Sequence, residues 1–347
     1  MLPNDFTNIF IDGVLMQIHV SFWSGARILR PEDLGLKPEQ VATAYKLGRK
    51  MLVPEEVIRN FRRIEGQARR LVEENSHHFP IGNANFVTRK SFNKKVHAGL
   101  LKLVEEYQAQ VDNLIANYDQ YRQEILPVYE EAADNAFLTS TPSIMEGSLD
   151  TYDREAERAA FKAEFLRRLN SYYPPVESLK ARFSLTWDIY EIAAPQLRET
   201  SSEDVLESEE ERMKSVVAAR AAMQTKIEGF VTDVVKVLRN EATEVCGRIA
   251  TAIKEGKVIR STTVASLKNF IERFKDMNFV GDQTIEAQLD AIQKEILDGH
   301  DDTAFLDNVE LKEELGRRLI AVTEAAKNIT DQDVDSVAGG YKRKINW

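Results

Sequence analysis

Residues 202–254 read SEDVLESEEERMKSVVAARAAMQTKIEGFVTDVVKVLRNEATEVCGRIATAIK, with no proline anywhere in the run. An apolar seam passes through it at helical spacing: Val216, Met223, Ile227, Phe230, Val234, Leu238, Val245, Ile249 and Ile253. One continuous helix over this stretch would reach roughly 75–80 Å, far beyond the usual globular helix of about 11–12 residues. Thr200-Ser201-Ser202 supply N-cap hydroxyls, and Glu203 follows Thr200 at capping-box spacing. Ala218, Ala219, Ala221 and Ala222 leave room for a neighbouring helix to approach closely.

The same periodicity extends upstream. Val96, Leu100, Leu103, Tyr107, Val111, Leu114, Tyr118, Tyr121, Ile125 and Val128 predict a helix over Ser91–Ala136, with Pro127 kinking its end. Consecutive steps of four at Leu103, Tyr107 and Val111 interrupt the heptad and locally unwind a left-handed supercoil. Thr139–Leu149 reads as a linker. A helix follows over Tyr152–Tyr172, breaks at Pro174-Pro175, and is expected to resume through Val176, Leu179, Phe183, Trp187 and Tyr190. After Gly256 the helices shorten, punctuated by Gly281 and Gly299. The expected fold is therefore mainly α, an elongated antiparallel helical bundle or coiled coil over residues 91–330. Residues 331–347 (DQDVDSVAGGYKRKINW) are polar and glycine-broken, and read as a flexible tail.

Residues 1–90 read differently, as a small α+β head. Val14, Met16, Ile18, Val20 and Phe22 alternate with Leu15, Gln17, His19 and Ser21, the period of a half-buried strand. Ile9-Phe10-Ile11 followed by Asp12-Gly13 predicts a β-hairpin spanning Ile9–Phe22. A lone hairpin is marginal in water, so this one must pack on the helices or pair with an extended piece such as Ala84–Thr88. Short helices are expected near Pro38–Lys46 and Pro54–Glu74, the latter with Pro54 at N1 and Glu55-Glu56 in its first turn.

Composition agrees with a helix-rich folded chain: 347 residues, 43% hydrophobic and 29% charged, with little glycine or proline. The single cysteine, Cys246, precludes an internal disulfide and reads as a buried, inert thiol. No signal peptide is evident and no stretch approaches the ~20 apolar residues of a membrane span, so no transmembrane span and a cytoplasmic location are expected. The net charge of −10 is unevenly placed: residues 1–102 hold 16 Lys/Arg against 10 Asp/Glu, and the remainder holds 30 against 46. A basic head on an acidic body can be steered toward an acidic partner or nucleic acid, or can dock on that body.

No motif for catalysis, cofactor binding or metal ligation emerges, so the chain is expected to be non-enzymatic and free of cofactors. His77-His78 reads as a surface turn at a helix end. LDGHDD around His300 lacks the spacing of a calcium loop and reads as a helix-capping loop. The cluster Glu203, Asp204, Glu207, Glu209, Glu210 and Glu211 suits the positive end of a helix dipole and also offers an acidic docking surface. Arg59, Arg62, Arg63, Arg69 and Arg70 share one side of the Pro54–Glu74 helix, opposite Ile58, Phe61 and Leu71. They make either a solvated face interleaved with Glu55, Glu65 and Glu73, or a surface for an acidic protein or a nucleic acid. Lys46, Arg49, Lys50, Arg89, Lys90, Lys94 and Lys95 lie nearby in sequence.

The strand Val14–Val20, the turn residues Phe22-Trp23 and Gly25-Ala26-Arg27, Glu32-Asp33-Leu34-Gly35-Leu36, the arginine-rich helix, and Phe79-Pro80-Ile81-Gly82 leading to Phe86-Val87 together resemble a bacterial and phage family, domain of unknown function 3150. The resemblance covers roughly residues 10–130 by motif and the rest by helical character. It implies a mostly helical protein without known catalytic residues. Members of that family are often encoded near MoxR-type AAA+ ATPases and von Willebrand factor A-domain proteins, in phage or mobile-element settings. The implied role is a coiled-coil adaptor for such an ATPase and its A-domain partner, with self-association into a homo-oligomer also open. Two alternatives come from other classes. One is a pore-forming or membrane-remodelling helical bundle, and the other is a nucleic-acid-binding accessory protein using the arginine face.

Overall fold

A computed structural model describes residues 6–42, 45–82, 84–140, 151–195, 209–327 and 331–344. The chain opens with a 3-10 turn (Phe6–Ile11), strands β1 (Gly13–Ser21) and β2 (Ala26–Ile28), and 3-10 turns at Pro31–Leu34 and Pro38–Gln40. Strand β3 (Arg49–Met51), helix α1 (Glu55–Glu73), β4 (His77–Phe79) and β5 (Ala84–Thr88) follow. A short α2 (Arg89–Ser91) passes through a π-helical segment, Phe92–Val96, into α3 (His97–Ala116) and α4 (Tyr118–Ser140). Then come α5 (Thr151–Asn170), α6 (Val176–Lys180) and β6 (Ser184–Tyr190). The remainder is α7 (Glu209–Lys254), α8 (Ser261–Met277), α9 (Gln283–Ile292) with π-helical Gln293–Leu297, α10 (Val309–Lys327) and α11 (Asp331–Lys344). The mainly α character expected from the periodicity is met.

The chain divides into two compact units that do not follow sequence order. One gathers Met1–Gln17, Arg70–Gly99 and Asp188–Trp347; the other gathers Ile18–Arg69 and Leu100–Trp187. The four boundaries fall inside β1, α1, α3 and β6. This differs from the head, bundle and tail order that composition suggested, because long-range burial rather than chain proximity assembles each unit.

In the first unit, α7 supplies the spine. Ile227, Phe230, Val231, Val234, Val235, Leu238, Ala242, Cys246, Ile249 and Ala250 are buried, a 3–4 spaced stripe wider than a two-stranded seam. Helix α10 runs antiparallel to it: Gly247 of α7 faces Thr323, while Ile253 faces Gly316 of α10. A Cβ at Gly316 would lie 3.1 Å from the Ile253 side chain, so the missing methyl sets how closely these helices approach. Phe79, Phe86, Phe230 and Phe279 meet in stacked and edge-on pairs, with ring centroids 4.9–6.3 Å apart, joining β4 and β5 to α7 and the α8–α9 loop. The start of the long helix expected at Ser202, its Thr200–Ser202 cap, and most of the linker at 139–149 lie outside the described residues.

The second unit is organised around buried aromatics. Phe61 of α1 contacts Phe22, Tyr107 and Phe183. Four tyrosine hydroxyls donate to backbone carbonyls: Tyr107 to Ser21 (2.6 Å), Tyr118 to Pro174 (3.0 Å), Tyr129 to Met51, and Tyr173 to Leu52 (2.8 Å). Each ties a helix or interhelical turn to a backbone carbonyl at a strand end or in a connecting segment. Burial raises the hydroxyl pKa of Tyr107 and Tyr173 to about 12.

Several local expectations are corrected. Ile9–Ile11 is a 3-10 turn rather than a hairpin strand. Ile9 and Phe10 are drawn into the core, and β1 instead takes β5 as its antiparallel partner, with Gly13 opposite Thr88 and Met16 opposite Asn85. The hairpin is formed by β4 and β5, His77 opposite Phe86, within a sheet of order β4-β5-β1-β6. Residues 184–190 form a strand, not a resumed helix. Thr186, Trp187, Ile189 and Tyr190 are strand formers, and the five-residue α6 after two prolines has too few turns to propagate. Of the expected Pro38–Lys46 helix, Pro38–Gln40 forms a 3-10 turn, and residues 43–44 lie outside the described residues. The Ser91–Ala136 helix is divided at Asn117, whose side-chain amide donates to the Asn113 carbonyl (2.9 Å). Asp331–Lys344 forms α11, with Val334, Ala338 and Tyr341 buried, so hydrophobic contacts outweigh the two helical glycines there.

Candidate functional site

The arginine face of α1 is positioned by a strongly amphipathic helix. Ile58, Phe61, Ile64, Ala68 and Val72 are buried on one side, which turns Arg59, Arg62, Arg63, Arg69 and Arg70 to solvent. Four of these guanidiniums stand beside carboxylates. Arg59 lies 3.8 Å from Glu56, Arg62 4.0 Å from Glu55, and Arg63 2.5 Å from Glu106. Arg69 donates through Nε and Nη2 to Glu65 Oε1 at 3.1 and 2.9 Å. Arg70 is also engaged. Exposed pairs of this kind contribute only about 0–1 kcal/mol each, but they compensate the charge locally. The face therefore carries alternating sign rather than an open field of positive charge.

Other basic residues of the N-terminal third make structural contacts. Lys50 is buried against Asp33 at 2.7 Å and lies 4.6 Å from the Tyr172 ring centroid. Arg89 donates to the carbonyls of Ile11 (2.8 Å) and Phe10 (2.7 Å). Lys94 donates to Asp276 at 2.6 Å, and Lys95 stands 3.9 Å from Glu272.

His77 corrects the expectation of a surface turn. It sits in β4, buried, and its Nε2–H donates to the Met277 carbonyl at 3.0 Å, with Phe230 and Phe279 edge-on to its ring. Burial lowers its pKa to about 4, so the imidazole is neutral near pH 7. His78 is exposed on the opposite side of the strand, as period-two alternation requires. Around His300 the loop caps as expected. Asp301 accepts from the Thr303 N–H (2.9 Å) and hydroxyl (2.8 Å), and Asn308 accepts from the Leu311 N–H (3.0 Å) at the start of α10. Cys246 is buried, and its thiol pKa is pushed up to about 12 by desolvation.

The alanines that the sequence marks for close helix approach lie in the first part of α7, and in the structure that part stays unburied. Residues 211–226 include no buried side chain, whereas Ile227 onward is sunk in the core. Met213 and Val217 are 41% and 51% exposed, and Ala218, Ala219, Ala221 and Ala222 are exposed beside them. Arg220 anchors this stretch by donating to the Pro195 carbonyl at 2.7 Å. The signal was present in the seam, which thins to Val216 and Met223 over these turns. Of the acidic cluster expected here, Glu203, Asp204 and Glu207 lie outside the described residues.

Among the described residues no helix is long and apolar enough to cross a membrane, and no group of three or more His, Cys, Asp or Glu side chains is arranged to hold a metal ion. No curated protein and no solved structure matches the chain. The family described as "Protein of unknown function (DUF3150)" matches residues 12–313, nearly the whole folded chain, and the protein belongs to that family.

Proposed function

We propose that the protein is a non-enzymatic helical adaptor of the cytoplasm, and that it engages a protein partner through the exposed first part of α7. The observation that carries this reading is the contrast within one helix. Residues 227–250 bury a continuous stripe, while residues 211–226 bury none and present Met213, Val217 and four alanines to solvent. Alanine and valine surfaces on a helix suit a second helix laid alongside, since small side chains allow close approach and lose little entropy on burial. Association through such a face draws on apolar area removed from water, at roughly 25 cal/mol per Å² before the costs of binding.

The partner assigned is a MoxR-type AAA+ ATPase acting with a von Willebrand factor A-domain protein, in a phage or mobile-element setting. This assignment rests on the family resemblance alone. The compensated arginine face of α1 disfavours the nucleic-acid alternative. Binding to a phosphate backbone draws on unpaired cations that displace counterions, and here Arg59, Arg62, Arg63 and Arg69 already have carboxylate neighbours.

The test is affinity capture of the tagged full-length chain from its native host, followed by mass spectrometry and size measurement. The expected result is enrichment of a MoxR-type ATPase with the wild-type chain and its loss with the double variant Met213→Asp/Val217→Asp. Recovery of the bare chain, or unchanged ATPase capture by the variant, overturns the proposal.

A further inference from the structure

A cavity of about 610 Å³ opens where the end of α1 meets α7 and α8. Its volume falls in the range of small-molecule sites, about 300–1,000 Å³. One part of its wall is apolar, formed by Val245, Ile249 and Phe270. Another part carries the cations Lys95, Arg248 and Arg273, opposed on the wall by the single carboxylate of Glu74. Thr262 and Thr263 add hydroxyl groups from the first turn of α8, and Asn269 adds an amide from its middle.

The three cations are not equivalent. Arg273 is held by Glu241, and Lys95 stands 3.9 Å from Glu272. Neither of those carboxylates lines the cavity, so both act from behind as positioning groups. Arg248 is exposed and, among the described residues, has no ion-pair or hydrogen-bond partner. A guanidinium fork at the mouth of a cavity matches an oxyanion in two-point geometry. Glu241 and Glu272 offset Arg273 and Lys95 from outside the cavity, so Arg248 is the uncompensated cation on its wall among the described residues, and a phosphate offers its guanidinium fork more oxygens than a carboxylate does. The apolar patch opposite would be unused by inorganic phosphate and suits an organic body.

We propose that this cavity binds a small organic phosphate of about nucleoside monophosphate size. The phosphate is held by Arg248 and Lys95 with the α8 hydroxyls, and the organic body lies against Ile249 and Phe270. The site lies on different residues from the adaptor surface of α7, so either assignment can fail without the other.

The experiment is isothermal titration of the full-length chain at matched ionic strength, with adenosine monophosphate, inorganic phosphate and adenosine as probes. The expected result is saturable binding of adenosine monophosphate, at least tenfold weaker binding of the other two probes, and at least a tenfold loss in Arg248→Glu. Because Arg248 is exposed and unpaired, that variant should keep the wild-type melting temperature in the absence of probe. Lack of saturable binding, equal affinity in Arg248→Glu, or inorganic phosphate or adenosine binding as tightly as the nucleotide each overturns the proposal.

Discussion

Tyr341 of α11 donates a 2.7 Å hydrogen bond to Asp12, 329 positions earlier, at the residue that leads into β1. The phenol ring also packs edge-on against Phe279, 5.2 Å between centroids. Burial and the neighbouring Asp12 carboxylate push the Tyr341 hydroxyl well above its ordinary pKa, so it remains a donor throughout the working range. Tyr341→Phe should cost about 1.5–3 kcal/mol, the scale of a hydrogen bond to a charged group. Tyr341→Ala should cost about 3–5 kcal/mol through the lost ring. Urea denaturation of both variants checks the order, and a Phe variant as stable as wild type would remove the bond's assigned role.

His77 gives a pH dependence with a definite sign. The folded imidazole stays neutral down to about pH 4, whereas the unfolded chain takes up its proton near 6.5. Between those values the unfolded state binds more protons, so stability falls as pH is lowered. The contribution, about 3 kcal/mol at the 1.36 kcal/mol carried by each pKa unit, is fully present above 6.5 and lost by about pH 4. Denaturation midpoints measured across pH 4–7 for wild type and His77→Gln should differ in slope within that window; parallel curves contradict the assignment.

Arg239 and Asp282 form a buried ion pair, with Nη2 3.1 Å from Oδ1 and Nε bonded to Oδ2. Asp282 is further fixed by Asn278, whose Oδ1 accepts from the Asp282 N–H at 2.9 Å. Arg239→Met strands the carboxylate and should destabilise by about 3–5 kcal/mol. The double variant Arg239→Met/Asp282→Leu should recover much of this loss, because the desolvation cost of both charges disappears. A thermal-melt cycle over the four proteins measures the coupling, and an additive cycle argues against it.

Gly35 ends the 3-10 turn Pro31–Leu34 with φ of +70°, and a Cβ there would overlap the Ala136 backbone of α4. Both terms oppose any side chain, one through conformation and one through overpacking. Gly35→Ala should cost roughly 2–4 kcal/mol, read from the shift in denaturation midpoint. The exposed Gly48, with nothing within 4 Å of its Cβ position, serves as the control, and Gly48→Ala should stay within about 0.5 kcal/mol of wild type. Equal effects at the two sites would refute the contact argument.

Much of the helical framework was legible because amphipathic periodicity is a local property. The stripe from Ile227 to Ile249, the α1 helix with its acidic first turn, and the capping behaviour near His300 all follow from spacing along the chain. The strand at Val14–Val20 was also visible in its alternation, and Ala84–Thr88 was identified as a partner it could take. At the tail, Gly339-Gly340 and the charges around them argue against a helix locally, while Tyr341 and Ala338 gain a buried environment from distant residues. At Ser184–Tyr190 the apolar residues at mixed three- and four-residue steps fit a helix as well as a strand, and only sheet pairing decides between them. The burial of His77 is not legible locally, because a pair of histidines carries no sign of the phenylalanines that surround one of them.

By itself the sequence determined the mainly α class, the buried stripe of α7 from Ile227 onward, the amphipathic α1 and the family to which the chain belongs. Those features depend on side-chain period, capping residues and motif order, which are written in consecutive positions. The tertiary structure alone decided how the chain is divided. It gathered Met1–Gln17 and Arg70–Gly99 with Asp188–Trp347, compensated the arginines of α1 with local carboxylates, left Arg248 at a cavity without an ion-pair partner among the described residues, and left residues 211–226 of α7 unburied. Each of those outcomes depends on which distant surfaces exclude water from one another, and burial is a property of the assembled chain rather than of any segment.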